Sequence, residues 1–241
     1  PEDLPERLQA LDRANEINPR LIPAHVLRIR LLAEAQRFDE ARAACQPAIF
    51  NGDLPVRLRT AAATIEADSG NLDLAIEKMY EVVAEEPNNY EAWGRLADWL
   101  RTDEHRYDQY LQVANELVRI APNYVIPLGY LGEARKFNGD RQGAKEAYKR
   151  ALALEADYVF GGFRLFDLQL EDGEFDDARA TLKTLEQQVG GDDVVVSYLE
   201  LAVKENDANA ATMHFRKVCR SATASRAQLN HAIKTLADKL W

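Results

Sequence analysis

A step of about 34 residues, along which one small side chain recurs, restricts the fold more than any other feature. Ala41, Ala75, Ala144, Ala178 and Ala211 stand 34, 69, 34 and 33 residues apart. The step of 69 holds one further unit, in which Tyr110 takes the place of the alanine. Three of these residues follow a turn signal by five positions from its glycine: Ser69-Gly70-Asn71, Asn138-Gly139-Asp140 and Asp172-Gly173-Glu174. A period of this length is the mark of a repeat architecture rather than of a single globule, whatever the 241 residues would suggest by length alone.

Other positions keep the same register. Four residues beyond each small residue come Cys45, Met79, Ala114, Tyr148, Leu182 and Phe215, and three further on come Ala48, Val82, Leu117, Ala151, Leu185 and Val218. Spacings of three and four put them on one stripe of a helix. Pro87 and Pro122 then end two of those helices, because proline has no amide hydrogen to continue the ladder. A second amphipathic stretch precedes each turn, for example Tyr90 to Leu100 and Val125 to Phe137. The unit is therefore helix, tight turn, helix, loop. Two antiparallel helices approach most closely near a short turn, where a small side chain lets the backbones meet. One hairpin cannot bury both its faces, so stability must come from stacking on neighbours.

On these residues the chain resembles the tetratricopeptide repeat family. In 125–158 the family pattern is matched by Leu131-Gly132, Ala144, Tyr148 and Ala151; in 90–124 it is matched by Trp93, Leu96, Ala97 and Pro122. The resemblance implies an all-α fold, a right-handed superhelical solenoid of stacked antiparallel helix pairs. It sets repeats at 22–55, 56–89, 90–124, 125–158, 159–191 and 192–225. Residues 1–21, with Leu8, Leu11, Ala14 and Pro19, resemble the second helix of an incomplete repeat. Residues 226–241 read as a capping helix: Ser225 and Gln228 have capping-box spacing, and Leu229, Ile233, Leu236 and Leu240 share one face. Pro1 in place of an initiator methionine, and Trp241 inside a helical pattern, lead us to expect a piece of a longer protein.

Two places depart from the pattern. The third unit carries an extra residue, expected in the turn Thr102-Asp103-Glu104-His105-Arg106, and the bulk of Tyr110 predicts a splayed hairpin. Helix 159–171 holds Gly161-Gly162 where the family prefers a large aromatic. Paired glycines cost about 1 kcal/mol each in a helix interior, so close packing against a neighbour is expected.

Composition narrows the function. A net charge of −10 and a pI near 5.0 disfavour nucleic acid and anionic membrane surfaces as partners. No apolar run reaches the ~20 residues a membrane span needs. His25, His105, His214 and His231 have no ligand partner at helical spacing, and Gly161-Gly162 and Gly190-Gly191 lack the flanks of a phosphate loop. Neither a metal, a cofactor nor a catalytic constellation is expected. Cys45 and Cys219 read as small buried hydrophobes of a reducing compartment. That favours the cytoplasm, with the periplasm open to a chain whose export signal has been removed.

The resemblance implies a protein-interaction scaffold that binds a protein or peptide. In the family, the partner lies in a groove contacting outward positions of the first helices. Carried over by register, these are Val26 and Arg30, Arg57 and Thr64, Glu91 and Asp98, Ile126 and Glu133, Phe160, Phe163 and Asp167, then Val196 and Glu200. Every basic residue before Lys78 is an arginine, so one expectation is capture of an acidic segment at that end; solvated helix faces are the alternative. The family's clamp for chaperone carboxylates uses Lys and Asn, whereas the matching places here hold Val26 and Arg30, Thr60 and Thr64, or Gly94 and Asp98, which speaks against that partner. The other expectation is an apolar patch of Ile126, Phe160 and Phe163 flanked by Asp98, Glu133 and Asp167, unless the glycines turn the phenylalanines into the core. A recruiting domain tethered to an enzyme elsewhere, and a self-associating structural module, are the two rival classes.

Overall fold

The computed structural model describes residues 3–188 and 191–240, the last three of these by backbone alone. Pro1, Gly190, Trp241 and the side chain of Leu240, which entered the sequence reading, lie outside the described residues. The described residues form fourteen α-helices, joined by turns and by two single 3₁₀ turns, with no strand.

The chain divides into two compact units, Pro1–Asp103 and Glu104–Trp241. The first contains α1 (Leu4–Ile17), α2 (Ile22–Glu34), α3 (Phe38–Ala44), α4 (Val56–Asp68), α5 (Leu72–Glu85) and α6 (Tyr90–Leu100). The second contains α7 (Tyr107–Ile120), α8 (Val125–Phe137), α9 (Arg141–Leu154), α10 (Val159–Glu171), α11 (Phe175–Gln188), α12 (Asp192–Lys204), α13 (Ala208–Arg220) and α14 (Arg226–Leu240). Within each unit every helix packs on the next in sequence, and α2 also packs on α4 and α12 on α14. This is an all-α array of stacked hairpins. The division falls at the turn of residues 102–106, inside the unit expected at 90–124, where the extra residue was anticipated.

The repeated stripe is the core. All six positions of the small-residue register, Tyr110 included, are buried, and so are Cys45, Met79, Ala114, Tyr148 and Leu182 four residues on. Phe215, the last of that series, is half-buried against the Val195–Val218 cluster. Tyr110 finds room by turning to α8: its ring meets Tyr130 edge-on at 6.4 Å and its hydroxyl donates to Glu133 Oε2 at 2.9 Å. Gly132 supplies the matching space in the next hairpin, since a Cβ there would lie 2.5 Å from the Tyr148 ring. Gly162 does the same for α10 and α11, a Cβ falling 2.5 Å from Leu185. Close approach of the neighbouring helix thus accounts for Gly162, whereas at Gly161 a Cβ would meet the ring of Tyr158, the N-cap residue of α10, at 2.5 Å.

Five hairpin turns share one geometry. Gly139 has φ +80°, its N–H bonds Lys136 C=O, and the next N–H, of Asp140, reaches back to Arg135 C=O. This Schellman arrangement satisfies helix-end carbonyls and requires a left-handed residue. Gly70 and Gly173 repeat it, but Gln36 and Asn206, each at φ +61°, hold the same position without being glycine.

Charged side chains one place after the small residue reach across to the following hairpin. Arg42 Nε lies 3.3 Å from Glu66 Oε2; Lys78 Nζ, three places after Ala75 and on the same hairpin as Glu66, lies 3.2 Å from its Oε1. Lys145 Nζ lies 2.9 Å from Asp172 and 2.6 Å from Glu174. Arg179 pairs with Glu205. Burial pushes the Glu66 carboxyl up, but hydrogen bonds from Asn71, Lys78 and Arg42 outweigh it and leave its pKa below the ordinary value.

Several expectations need correction. Helix α3 stops at Ala44, because Pro47 cannot continue it, and Ala48 is an exposed residue of a 3₁₀ turn rather than part of the buried stripe. Cys219 is exposed; only Cys45 is buried, its thiol pushed up to about 11 because desolvation outweighs the opposing charge of Lys78. In α14 the predicted capping box forms, Gln228 N–H donating to Ser225 Oγ at 3.2 Å and Ser225 N–H to Gln228 Oε1 at 2.7 Å. Its inner face, however, is Leu229, Ala232 and Leu236, and Ile233 is 54% exposed.

Candidate functional site

The first helices of three successive hairpins, α2, α4 and α6, leave an open groove of about 980 Å³ within Pro1–Asp103. Each helix begins where its local sequence starts one. Pro23 stands in the first turn of α2, where an amide hydrogen has no partner anyway. Pro55 precedes α4 as its N-cap residue. Asn89 caps α6, its side-chain oxygen accepting from Ala92 N–H at 3.0 Å. Ile29 and Ile65 are buried at the floor of the groove, with exposed and half-buried residues of the same helices along its walls.

Val26, Arg30, Arg57, Thr64 and Glu91 all line this groove. Arg30 lies 3.5 Å from Glu34, and Arg95, another wall residue, 3.5 Å from Glu91. Thr64 donates to Thr60 C=O at 2.9 Å, which leaves its oxygen free to accept. Arg57 is exposed and forms no ion pair with any described residue. The wall also carries Asp68 and Glu86, so it is of mixed charge rather than basic. Asp98 is exposed on α6, 3.4 Å from Arg101, and does not line the groove.

The remaining sequence-derived residues belong to the second unit. Ile126 on α8 is 48% exposed and Phe160 on α10 is 41% exposed. Phe160 stacks beneath Arg164, whose guanidinium carbon is 5.1 Å from the ring centre, and edge-on to Tyr148 at 6.5 Å. Phe163 instead packs half-buried against the core of Phe166, Leu182, Leu185 and Val194. The alternative that turned a phenylalanine inward holds for Phe163 and not for Phe160. Glu133 accepts from Tyr110. Asp167 lies 3.7 Å from Arg164, and burial followed by the nearby Glu200 raises its pKa. Glu200 Oε1 lies 2.5 Å from His231 Nε2 on α14.

Val196 requires correction. It is 6% exposed and packs with Val195, Leu199 and Ala202 in the cluster that α14 completes through Ala232. Helix α14 lies on this face, so Val196 is a core residue and leaves the candidate set. The turn arginines and acids that tie successive hairpins escaped the sequence reading; a charged residue directly after Ala41, Ala144 and Ala178 was their signal.

Among the described residues no group of three or more His, Cys, Asp or Glu side chains is placed to hold a metal ion, and no helix is long and apolar enough to cross a membrane.

Residues 138–200 match the family model for the tetratricopeptide repeat. No curated protein matches the sequence. Among solved structures, the C-terminal part of a TPR repeat-containing protein from Cytophaga hutchinsonii superposes with TM-score 0.75 at 12% identity, covering 95% of this chain and 94% of that one. PilF of Pseudomonas aeruginosa gives 0.64 at 17%, covering 90% and 97%. A MamA protein gives 0.60 at 18%, covering 77% and 93%. At such identities the likeness is one of fold. Residues 138–200 thus carry the sequence of the tetratricopeptide repeat, and the hairpin fold of both units is the one these structures share.

Proposed function

We propose that this chain is a protein-interaction scaffold that takes a peptide segment of a partner protein into the groove between α2, α4 and α6. The observation that carries the proposal is the groove itself: about 980 Å³ walled by three successive first helices, with Val26 offering apolar surface and Arg57 a guanidinium that no carboxylate of the described residues neutralises. A peptide carboxylate reaching Arg57 makes a charge-assisted hydrogen bond without displacing an internal partner. Arg30 and Arg95, each beside its own acid, hold the walls and contribute less. Mixed charge along the wall favours a segment with both signs over a polyacidic one.

Panning the whole chain against a displayed peptide library tests this. Peptides selected by the native chain should lose about tenfold in affinity on Arg57→Glu, the scale of one charged hydrogen bond, and a comparable factor on Thr64→Arg, which fills the groove. Phe160→Ala, in the other unit, should leave binding unchanged. Selected peptides indifferent to both groove substitutions would refute the assignment.

A further inference from the structure

Charge is distributed along this chain in opposite blocks. Residues 66–104 carry eleven acidic side chains against Lys78, Arg95 and Arg101. Residues 208–237 carry Arg216, Lys217, Arg220, Arg226 and Lys234 and no carboxylate at all. Each block presents one outward helix. On α5, Leu74 is 39% exposed and Glu77 and Glu81 follow it at spacings of three and seven. On α13, Met213 is 57% exposed and Arg216 and Arg220 follow it at the same spacings. Spacings of three and seven keep three side chains on one helical stripe. Both stripes therefore read apolar, charge, charge in the same direction, with opposite signs.

None of Glu77, Glu81, Arg216 and Arg220 forms an ion pair with a described residue. The intervening position is lysine on both helices, which would set like charges face to face, but Lys78 is drawn aside to Glu66 at 3.2 Å. Lys217 lines an open hollow with Asp192, Met213 and Arg216, so α13 is not covered by its own unit along this stripe.

We infer that the α13 stripe of one copy docks on the α5 stripe of a second copy, with Met213 against Leu74 and Arg216 and Arg220 against Glu77 and Glu81. The occupant follows from the match of spacing, sign and apolar anchor between two surfaces of the same chain. The contact joins two different surfaces, so each copy keeps one of each kind free and association need not stop at two. Repulsion from the net charge of −10 is screened beyond about 10 Å at 0.1 M salt, whereas facing charges within the contact are closer than that. The contact is small and exposed, so it forms at high protein concentration and low salt.

Light scattering on the full chain over a concentration series reads this directly. At low salt the mean mass should climb from 27.2 kDa towards at least double, and fall back at about 0.5 M salt, where the screening length is only a few ångströms. R216E/R220E and E77R/E81R should each remain single chains. An equimolar mixture of the two variants should associate again, since each then faces its opposite. Arg57→Glu, in the groove, should associate like the native chain, which separates this inference from the peptide-binding proposal. A native chain that stays at 27.2 kDa at every concentration, association that survives high salt, a mixture that stays monomeric, or loss of association with Arg57→Glu would each overturn it.

Discussion

Gln36 and Asn206 hold the left-handed position that glycine fills in the other Schellman turns. An L-residue there places its Cβ against the following carbonyl, at a cost of roughly 1–2 kcal/mol, less for asparagine than for glutamine. Glycine gives part of that back by its greater freedom when unfolded. Gln36→Gly should therefore stabilise the chain by about 1 kcal/mol, and Asn206→Gly by less, as read from urea midpoints at unchanged slope. A destabilised Gln36→Gly would mean that the side chain contributes a contact that the turn geometry does not require. The same reasoning runs the other way at Gly162, where helix propensity favours alanine but the Leu185 side chain occupies the space a Cβ needs. Register alone marked Ala41 and Ala211 as post-turn residues, yet nothing in the sequence distinguished Gln36 as strained, because the strain comes from a backbone angle and not from a residue type.

At the level of elements, the hairpins are tied by more than their apolar stripes. Lys145 sits buried between Asp172 and Glu174, and Glu66 between Arg42 and Lys78. The pKa of Asp172 is lowered, chiefly by its hydrogen bonds from Lys145 and then Arg141, and that of Glu66 is lowered because hydrogen bonds from Asn71, Lys78 and Arg42 more than offset burial. A carboxyl whose pKa is lower folded than unfolded adds stability above its unfolded value near 4, and that contribution is lost as pH falls through the folded value. Asp167, raised by burial and by Glu200, acts oppositely: its penalty at neutral pH is relieved as acid protonates it. Net stability should thus decline below about pH 4, and Glu66→Gln should flatten that decline while lowering stability at pH 7. Lys145→Met should cost about 1 kcal/mol at neutral pH, because Asp172 and Glu174 lose a hydrogen-bonded cation. Calorimetry from pH 3 to pH 7 on these variants gives the answer, and an unaltered acid slope in Glu66→Gln would remove Glu66 from the account. The sequence pointed to these clamps only weakly, since a charged residue after a small one is equally at home on a solvated face.

For the molecule as a whole, stability in a stacked array is a sum of hairpins and the interfaces between them, so an end must be covered. Helix α14 covers an apolar face of the α12–α13 hairpin: Leu229, Ala232 and Leu236 lie on the cluster of Val195, Val196, Leu199 and Val218. Ending the chain at Ser225 should cost on the order of 3 kcal/mol, about that of burying two leucine-sized side chains part-way, and should raise binding of an apolar dye. Unchanged melting of that truncation would show that the last hairpin needs no cover. The 34-residue step, the hairpin helices and even the Ser225–Gln228 cap were legible because each is a local pattern: spacing fixes which residues share a helix face, and a cap needs only neighbours in sequence. Tertiary structure alone decided that Val196 is core, that Phe163 turns inward while Phe160 does not, and that Arg57, unlike Arg30, has no acid beside it among the described residues. Those outcomes depend on what an adjacent helix places a few ångströms away, and residues some thirty positions apart meet only once the hairpins have stacked.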